Sequence, residues 1–564
     1  MQIRFSLPLV LLLAVFAVSC SKKNKEGKYI PKDAAVAVHI NGASLSAKLP
    51  WEEIKGTELF KEISSDSNIT SFVKQVLENP DNSGIDIKTD MVFFLKKDSL
   101  GGFAVFSGTV KDAEKFRLFN LSLAEKGVES EKDGIKFISK SPVCIGWNKE
   151  KFVYITNVPE INPGKYIIGN GGSNSYKEDN RDISITCKEM FSLDEDASLG
   201  KDEKFTELVK TTGDLHFWVN SEELNKNGAA SAGLKMLNID LEKLYKGSIT
   251  TATVNFENGQ VLIDTKSYAS KEVTELWKKY GGKVDESMLK RIAAKDVAAV
   301  IAMNFKPEGI KELVKLMGVE GYANMGLAFM GFTLDDFVKA NKGDVVLAVT
   351  DFKTALPDSA PAGMVESNLF SSKPTVIFGT SVGDKDAFNK LIKAGQKLGK
   401  DAPAGAAEQV SYNNNGSYFA IGNSKEAVDK FVTGGNNNFD FISKISGQSV
   451  GGYFNIRYIL KAFANEASRD SSAKAVYDAS VAFWDNVYMK GGDYSDGGTS
   501  SHIEINLIDK STNSLKQLNK YISTLGLIAK KEKENAGPAS VWNPDAMKPD
   551  SVMPAAPAVA IPSK

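Results

Sequence analysis

The sequence predicts an α+β protein made of two duplicated lobes, each an antiparallel sheet covered by amphipathic helices. Three observations carry that expectation. Short apolar runs bounded by Gly, Asn and Asp, such as MVFFL, FAVFSGTV, ITTATVNF and VLIDTKSY, read as strands. Segments between them place apolar residues at helical spacing, as in Phe116, Phe119 and Leu123, or Val273, Leu276, Trp277 and Tyr280. The third observation is that the motifs recur, in the same order, after an offset of about 235–275 residues. RIAAKDVAAVIAMNF echoes YIPKDAAVAVHIN, and TVIFGTSVGDKDAFNKLIKAG echoes FAVFSGTVKDAEKFRLF. GGYFNIRYIL echoes DLHFWVNSEEL, and IEINLIDKSTNSLKQL echoes VLIDTKSYASKEVTEL. Collinear matches are more specific than any one of them.

The chain opens on MQIRFSLPLVLLLAVFAVSCSKKNK. Arg4 supplies the positive start, and Leu7 to Val18 is an apolar run too short to span a bilayer and long enough for a signal-peptide core. Ala17, Val18, Ser19 and Cys20 then resemble the lipobox of a bacterial lipoprotein, with Ala17 standing where leucine is usual. The resemblance implies removal of residues 1–19 and acylation of Cys20, which anchors the chain in a membrane essentially permanently. Residues 20–28 form a tether. Its lysines Lys22, Lys23 and Lys25 stand where surface-exported lipoproteins carry acidic residues, so the expectation is an outer-membrane protein facing the periplasm.

The remaining length exceeds one core and divides at the repeat into a first lobe at 29–285 and a second at 291–530. In the first lobe, AAVAVHI reads as a strand ending at Asn41-Gly42, followed by helical spacing from Trp51 to Leu77. MVFFL, FAVFSGTV, a helix from Asp112, and strands near IKFIS, VCIGW and FVYIT come next. Residues 160–200 read as a polar loop with one strand, ISITC; a helix, EKFTELVK, and the strand DLHFWVN follow. The hairpin ITTATVNF–VLIDTKSY turns at Glu257-Asn258-Gly259-Gln260, where Asn-Gly is a strong turn signal. A last helix carries Leu515, Leu518, Tyr521, Ile522 and Leu525. Residues 531–564 are Pro/Ala/Ser-rich and predict a disordered tail.

The relaxed lipobox, the opening Ile30-Pro31-Lys32-Asp33-Ala34-Ala35-Val36-Ala37-Val38 and Gly84-Ile85-Asp86 before a strand resemble an uncharacterised lipoprotein family of Bacteroidetes, a domain of unknown function numbered 4836. The resemblance implies export, lipidation and two lobes over nearly the whole mature chain, and it brings no active-site residue.

Charge excludes one function class. Lys and Arg number 69 against 70 Asp and Glu, interspersed, so no basic stripe exists to neutralise phosphates and no nucleic-acid partner is expected. No cofactor motif occurs. The histidines are only three, His39, His216 and His502, with no H-E-x-x-H, and no metal site is predicted. Positions echoing His39 and His216 fall near Ala302 and Tyr453.

Two G-x-S-x-G matches occur, around Ser381 and Ser449. Ser449 leads into a strand; Ser381 reads as a turn residue with His502 as the single downstream base. Cys144 and Cys187 read as buried cysteines in strands, free although an oxidising compartment could pair them. Asp194 begins a loop that lacks the glycine and glutamate of a calcium site, and Asp493 and Asp496 read as a hairpin turn. Of the tryptophans, Trp147, Trp218 and Trp277 read as core. Three Asp-Ser sequons, at Ser99, Ser359 and Ser551, resemble sites of bacterial O-glycosylation.

The sequence therefore predicts a cell-envelope lipoprotein with a non-catalytic binding or structural role. It is held by its lipid anchor and takes an envelope protein partner. An envelope hydrolase acting on glycan or lipid, or a carrier of an apolar ligand, is the alternative.

Overall fold

A computed structural model describes residues 27–65, 71–98, 101–124, 127–158, 181–226, 241–354, 372–400, 410–468 and 470–536. Eighteen strands join one antiparallel sheet. The strands are β1 Val36–Ile40, β2 Met91–Asp98, β3 Gly101–Thr109, β4 Val128–Lys132, β5 Ile135–Lys140, β6 Val143–Trp147, β7 Lys151–Asn157, β8 Leu215–Asn220, β9 Ile249–Glu257 and β10 Gln260–Tyr268. After them come β11 Val297–Asn304, β12 Asn341–Thr354, β13 Ser372–Val382, β14 Ser411–Asn414, β15 Tyr418–Gly422, β16 Val450–Phe454, β17 Trp484–Ser495 and β18 Gly498–Leu507. The fold class is α+β.

The centre of the sheet is the pair β10–β18, running from Gln260↔Asn506 to Ser267↔Thr499. Outward from β10 the neighbours are β9, β8, β1, β2, β3, β7, β6, β5 and β4. Outward from β18 they are β17, β16, β11, β12, β13, β15 and β14. In each direction the innermost strand ends that half's run of strands, and the first strand of the half lies fourth out.

Residues paired directly across an antiparallel ladder point to one face, so the register assigns the two faces. One face buries Ala37, Phe94, Val105, Ile155 and Trp218 under the helices Ile183–Glu189 and Glu203–Lys210. In the other half the same face buries Val300, Ala302, Val346 and Ala348 under Glu286–Leu289, Lys425–Thr433 and Ile442–Ile445. The opposite face holds smaller clusters: Phe116, Trp147 and Phe152 under Ala113–Leu123, and Val382 with Phe388 under Lys385–Lys400.

Several expectations are corrected. ISITC is not a strand but the helix Ile183–Glu189, started by Asp182, whose carboxylate accepts from the Ser184 amide. Its buried residues Ile183, Thr186, Cys187 and Met190 fall at i, i+3, i+4 and i+7, so the helical period outweighed β-branched composition. Ser381 lies inside β13, not in a turn. The final helix, Ser514–Ala536, continues past Lys530, aided by the Lys530–Glu534 pair at 3.8 Å. Residues 1–26 and 537–564, and with them the signal, most of the tether and most of the tail, lie outside the described residues.

Candidate functional site

The register carries one line of residues straight across the buried-helix face of the sheet. It runs Val92, His39, His216, Thr253, Asp264, His502, Lys490, Gly451, Ala302 and Val346. All three histidines of the chain therefore share a single cross-strand row. The positions mirroring His39 and His216 about the central pair are Ala302 and Gly451, the latter two residues before Tyr453.

The row passes from the first-half helices, across an uncovered centre, to the second-half helices over Ala302 and Val346. Under the first-half helices, His39 and His216 are buried, with their Nδ1 atoms 3.0 Å apart. His216 Nε2 lies 3.0 Å from the Thr211 carbonyl, so it is the donor there, and neutral His216 accepts at Nδ1 from His39. His39 Nε2 lies 3.5 Å from an Asp90 carboxylate oxygen. Burial lowers the His216 pKa, and the neighbouring His39 adds to that. Beside the pair, Asp214 is fully buried and accepts from Ser44 Oγ at 2.5 Å, Lys48 Nζ at 2.7 Å and the Phe256 amide at 2.7 Å. Its donors account for its burial, so Asp214 ties the helix Gly42–Lys48 to β8 and β9 as a structural carboxylate.

Where the covering helices stop, the row reaches a hollow of about 290 Å³ over the central strands. Its floor is Thr251 and Thr253 of β9, Asp264, Lys266 and Tyr268 of β10, and Ser500 and His502 of β18. One wall is Lys204, Glu207, Leu208 and Thr211 at the helix Glu203–Lys210; Gln448, just before β16, closes the other side. His502 Nδ1 is 2.7 Å from Asp264 Oδ1. Lys204 Nζ lies 4.6 Å and Lys266 Nζ 5.5 Å from the Tyr268 ring centre, both over that ring. The hollow thus offers two cations, two carboxylates, an aromatic face and a series of hydroxyls. Such lining hydrogen-bonds a small polar ligand in either sense, as donor or acceptor.

The two serine motifs do not assemble a hydrolase. Ser381 is buried and donates to Asp344 Oδ2 at 2.8 Å. It lies on β13, five strands from His502 on β18, which at about 4.8 Å per strand is roughly 24 Å. Ser449 is buried and donates to the Gly282 carbonyl at 2.8 Å. Asp194 caps a single turn by accepting from the Asp196 amide, and Asp496 with Gly497 forms the left-handed turn between β17 and β18. Among the described residues, no group of three or more His, Cys, Asp or Glu is placed to hold a metal ion. No helix among them is long and apolar enough to cross a membrane. None of the five tryptophans among them is exposed; Trp147 and Trp218 are core. Cys20, Ser99, Ser359 and Ser551 lie outside the described residues.

Sequence reasoning treated the histidines one by one and missed the hollow. The signal it had was the polar, Thr- and Ser-rich composition of ITTATVNF and TSSHIEI, two central strands with hydroxyls on the covered face.

An antiparallel α+β protein with a polar hollow at its central strand pair is the class these features define. The model of a family described as a domain of unknown function, DUF4836, matches residues 27–361, and the chain belongs to that family. The match takes in the whole first half and the second as far as β12, less than the near-complete coverage the sequence motifs implied. No curated protein matches the chain. Among solved structures, crystal forms I and III of TP0453 match at 10% identity and a TM-score of 0.24, over 43% and 44% of this chain and 78% and 80% of that one. That score does not establish a shared fold.

Proposed function

We propose that the protein is an exported lipoprotein, anchored through acylated Cys20 in the outer membrane and facing the periplasm, where it acts as a non-catalytic binding component of the cell envelope. The lipobox-like Ala17 to Cys20 after a short apolar run supports the anchor. Gly27 follows Cys20 by seven residues, so the folded body stays within about 25 Å of the bilayer surface.

The chain is two duplicated lobes that continue one another's sheet through β10 and β18. The mirrored strand order on either side of that pair, together with the collinear sequence echoes, supports this reading. The observation that carries the binding role is the hollow itself. Its floor crosses the β10–β18 seam, and its walls come from both halves, so a ligand there touches both lobes at once. The partner is an envelope protein or a polar group it presents. Ser99, Ser359 and Ser551 carry O-linked glycans.

The test is cross-linking of the intact protein in its own envelope, followed by capture and mass spectrometry. The expected result is a protein partner in near-equal amount, lost in the double variant Lys204→Glu, Lys266→Glu. Capture of the same partner in the same amount by that variant refutes the hollow as the binding site. Cys20→Ala is expected to release the protein from membranes; unchanged membrane fractionation refutes the anchor.

A further inference from the structure

Two cysteines that the sequence places in separate segments meet in the first core. Cys144 is on β6 and Cys187 on the helix Ile183–Glu189, and both are fully buried. Cys144 and Gly146 point to the same face of β6, toward that helix. The Cys187 sulfur lies 2.8 Å from the place a Cβ on Gly146 would occupy, so it rests directly on β6 one residue pair from Cys144. A side chain at Gly146 would displace that sulfur. The structure has both thiols free.

We infer that Cys144 and Cys187 close a disulfide in the exported protein, stapling the helix Ile183–Glu189 to β6. The inference rests on the export reading, because only an oxidising compartment keeps such a bond. Two S–H bonds break and one S–S bond forms. The two electrons and two protons pass to the disulfide of a thiol–disulfide exchange partner, which leaves as a dithiol.

The physical reason for a staple is local. This helix has seven residues and is the first described element after residue 158, at the far side of residues 159–180. A helix that short does not hold itself. It is kept by the burial of Ile183, Cys187 and Met190 against β6 and β7. The neighbouring Cys144 and burial push the Cys187 thiol up, while the contact with Cys187 holds the Cys144 thiol down, so Cys144 is the sulfur that attacks as the thiolate. Both sulfurs are fully buried, so the closed bond resists reduction until the protein unfolds.

The experiment uses wild-type protein purified from its own cells. It is denatured and blocked with N-ethylmaleimide, and one portion is digested with trypsin without reduction. The expected product joins peptides 141–149 and 182–188, and reduction separates them. In folded protein the joined product is expected to survive dithiothreitol, and to be lost when urea is added. N-ethylmaleimide on both Cys144 and Cys187 before any reduction overturns the inference. A refolding arm in a glutathione redox buffer then identifies the failed premise. If the bond closes there, the export reading is wrong; if it does not, the geometry is.

Discussion

Acidification is expected to destabilise this protein through His216 in particular. The bond between His39 Nδ1 and His216 Nδ1 requires one of those nitrogens to be unprotonated, and burial lowers the His216 pKa from its ordinary value of 6.5. The hydrogen bond to the Thr211 carbonyl, and after it Asp90 and Asp214, pull the other way, without overturning the effect of burial. Because the folded value is lowered, the unfolded chain binds the proton first as pH falls. The stability His216 contributes is complete above about pH 6.5 and is lost as pH drops below it. If the folded site stays neutral, the loss at pH 5 is RT ln(1 + 10^1.5), about 2 kcal/mol, against about 0.2 kcal/mol at pH 7. The assay is urea unfolding at pH 7 and pH 5, read by the fluorescence of buried Trp147 and Trp218. His216→Gln removes the titrating group and should flatten the difference by about 2 kcal/mol, whatever its effect at pH 7. Carboxylates titrate lower and are shared by both proteins. An equal loss of stability between pH 7 and pH 5 in wild type and variant would refute the reasoning.

Two further perturbations test the frame that holds the row. Asp214→Asn removes the charge facing Lys48 and one acceptor among three bonds, and should cost about 3 kcal/mol in urea unfolding. A cost below about 1 kcal/mol would mean that Lys48 simply turns to Glu257, now 3.5 Å away. Gly259 sits at φ +67° in the β9–β10 turn, and a Cβ there would lie 2.4 Å from Lys510 Cα, a backbone atom that cannot swing aside. Gly259→Ala is therefore expected to lose at least about 2 kcal/mol, and a neutral result would show that the turn shifts freely against the segment after β18.

What the sequence disclosed follows from how each element earns its stability. Strands buried on the covered face, such as MVFFL and FAVFSGTV, are legible because burial demands apolar residues at a period of two. The turn at Asn258-Gly259 is legible because its backbone requires glycine. β4, VESEK, is not: all five residues are exposed at the sheet edge, and charge there reads as loop although it suits an unpaired strand margin. The helix Ile183–Glu189 is misread because Ile and Thr favour strands, while its buried positions keep a helical period only tertiary packing reveals. Nor could the meeting of His39 with His216, or of Cys144 with Cys187, be read from sequence. The histidines stand 177 residues apart and meet only because β1 inserts between β2 and β8.

That insertion explains why the hollow lies where it does. On the face that carries the row, the helices over each half stop short of the centre. Strands between two covered regions are left with water above them, so their exposed positions must be polar to stay soluble without a partner. Asp264, Lys266, Ser500 and His502 are such residues, beside the buried hydroxyls of Thr251 and Thr253. Their polarity alone is what any uncovered strand requires. What solvation does not require is concavity with walls from both sides, or two lysines placed over one tyrosine ring. An uncovered seam that needed only solubility would be flat. The hollow is thus where the proposed binding role is best tested, because Asp264, Lys266 and His502 on its floor are not buried and substitutions among them remove little packing.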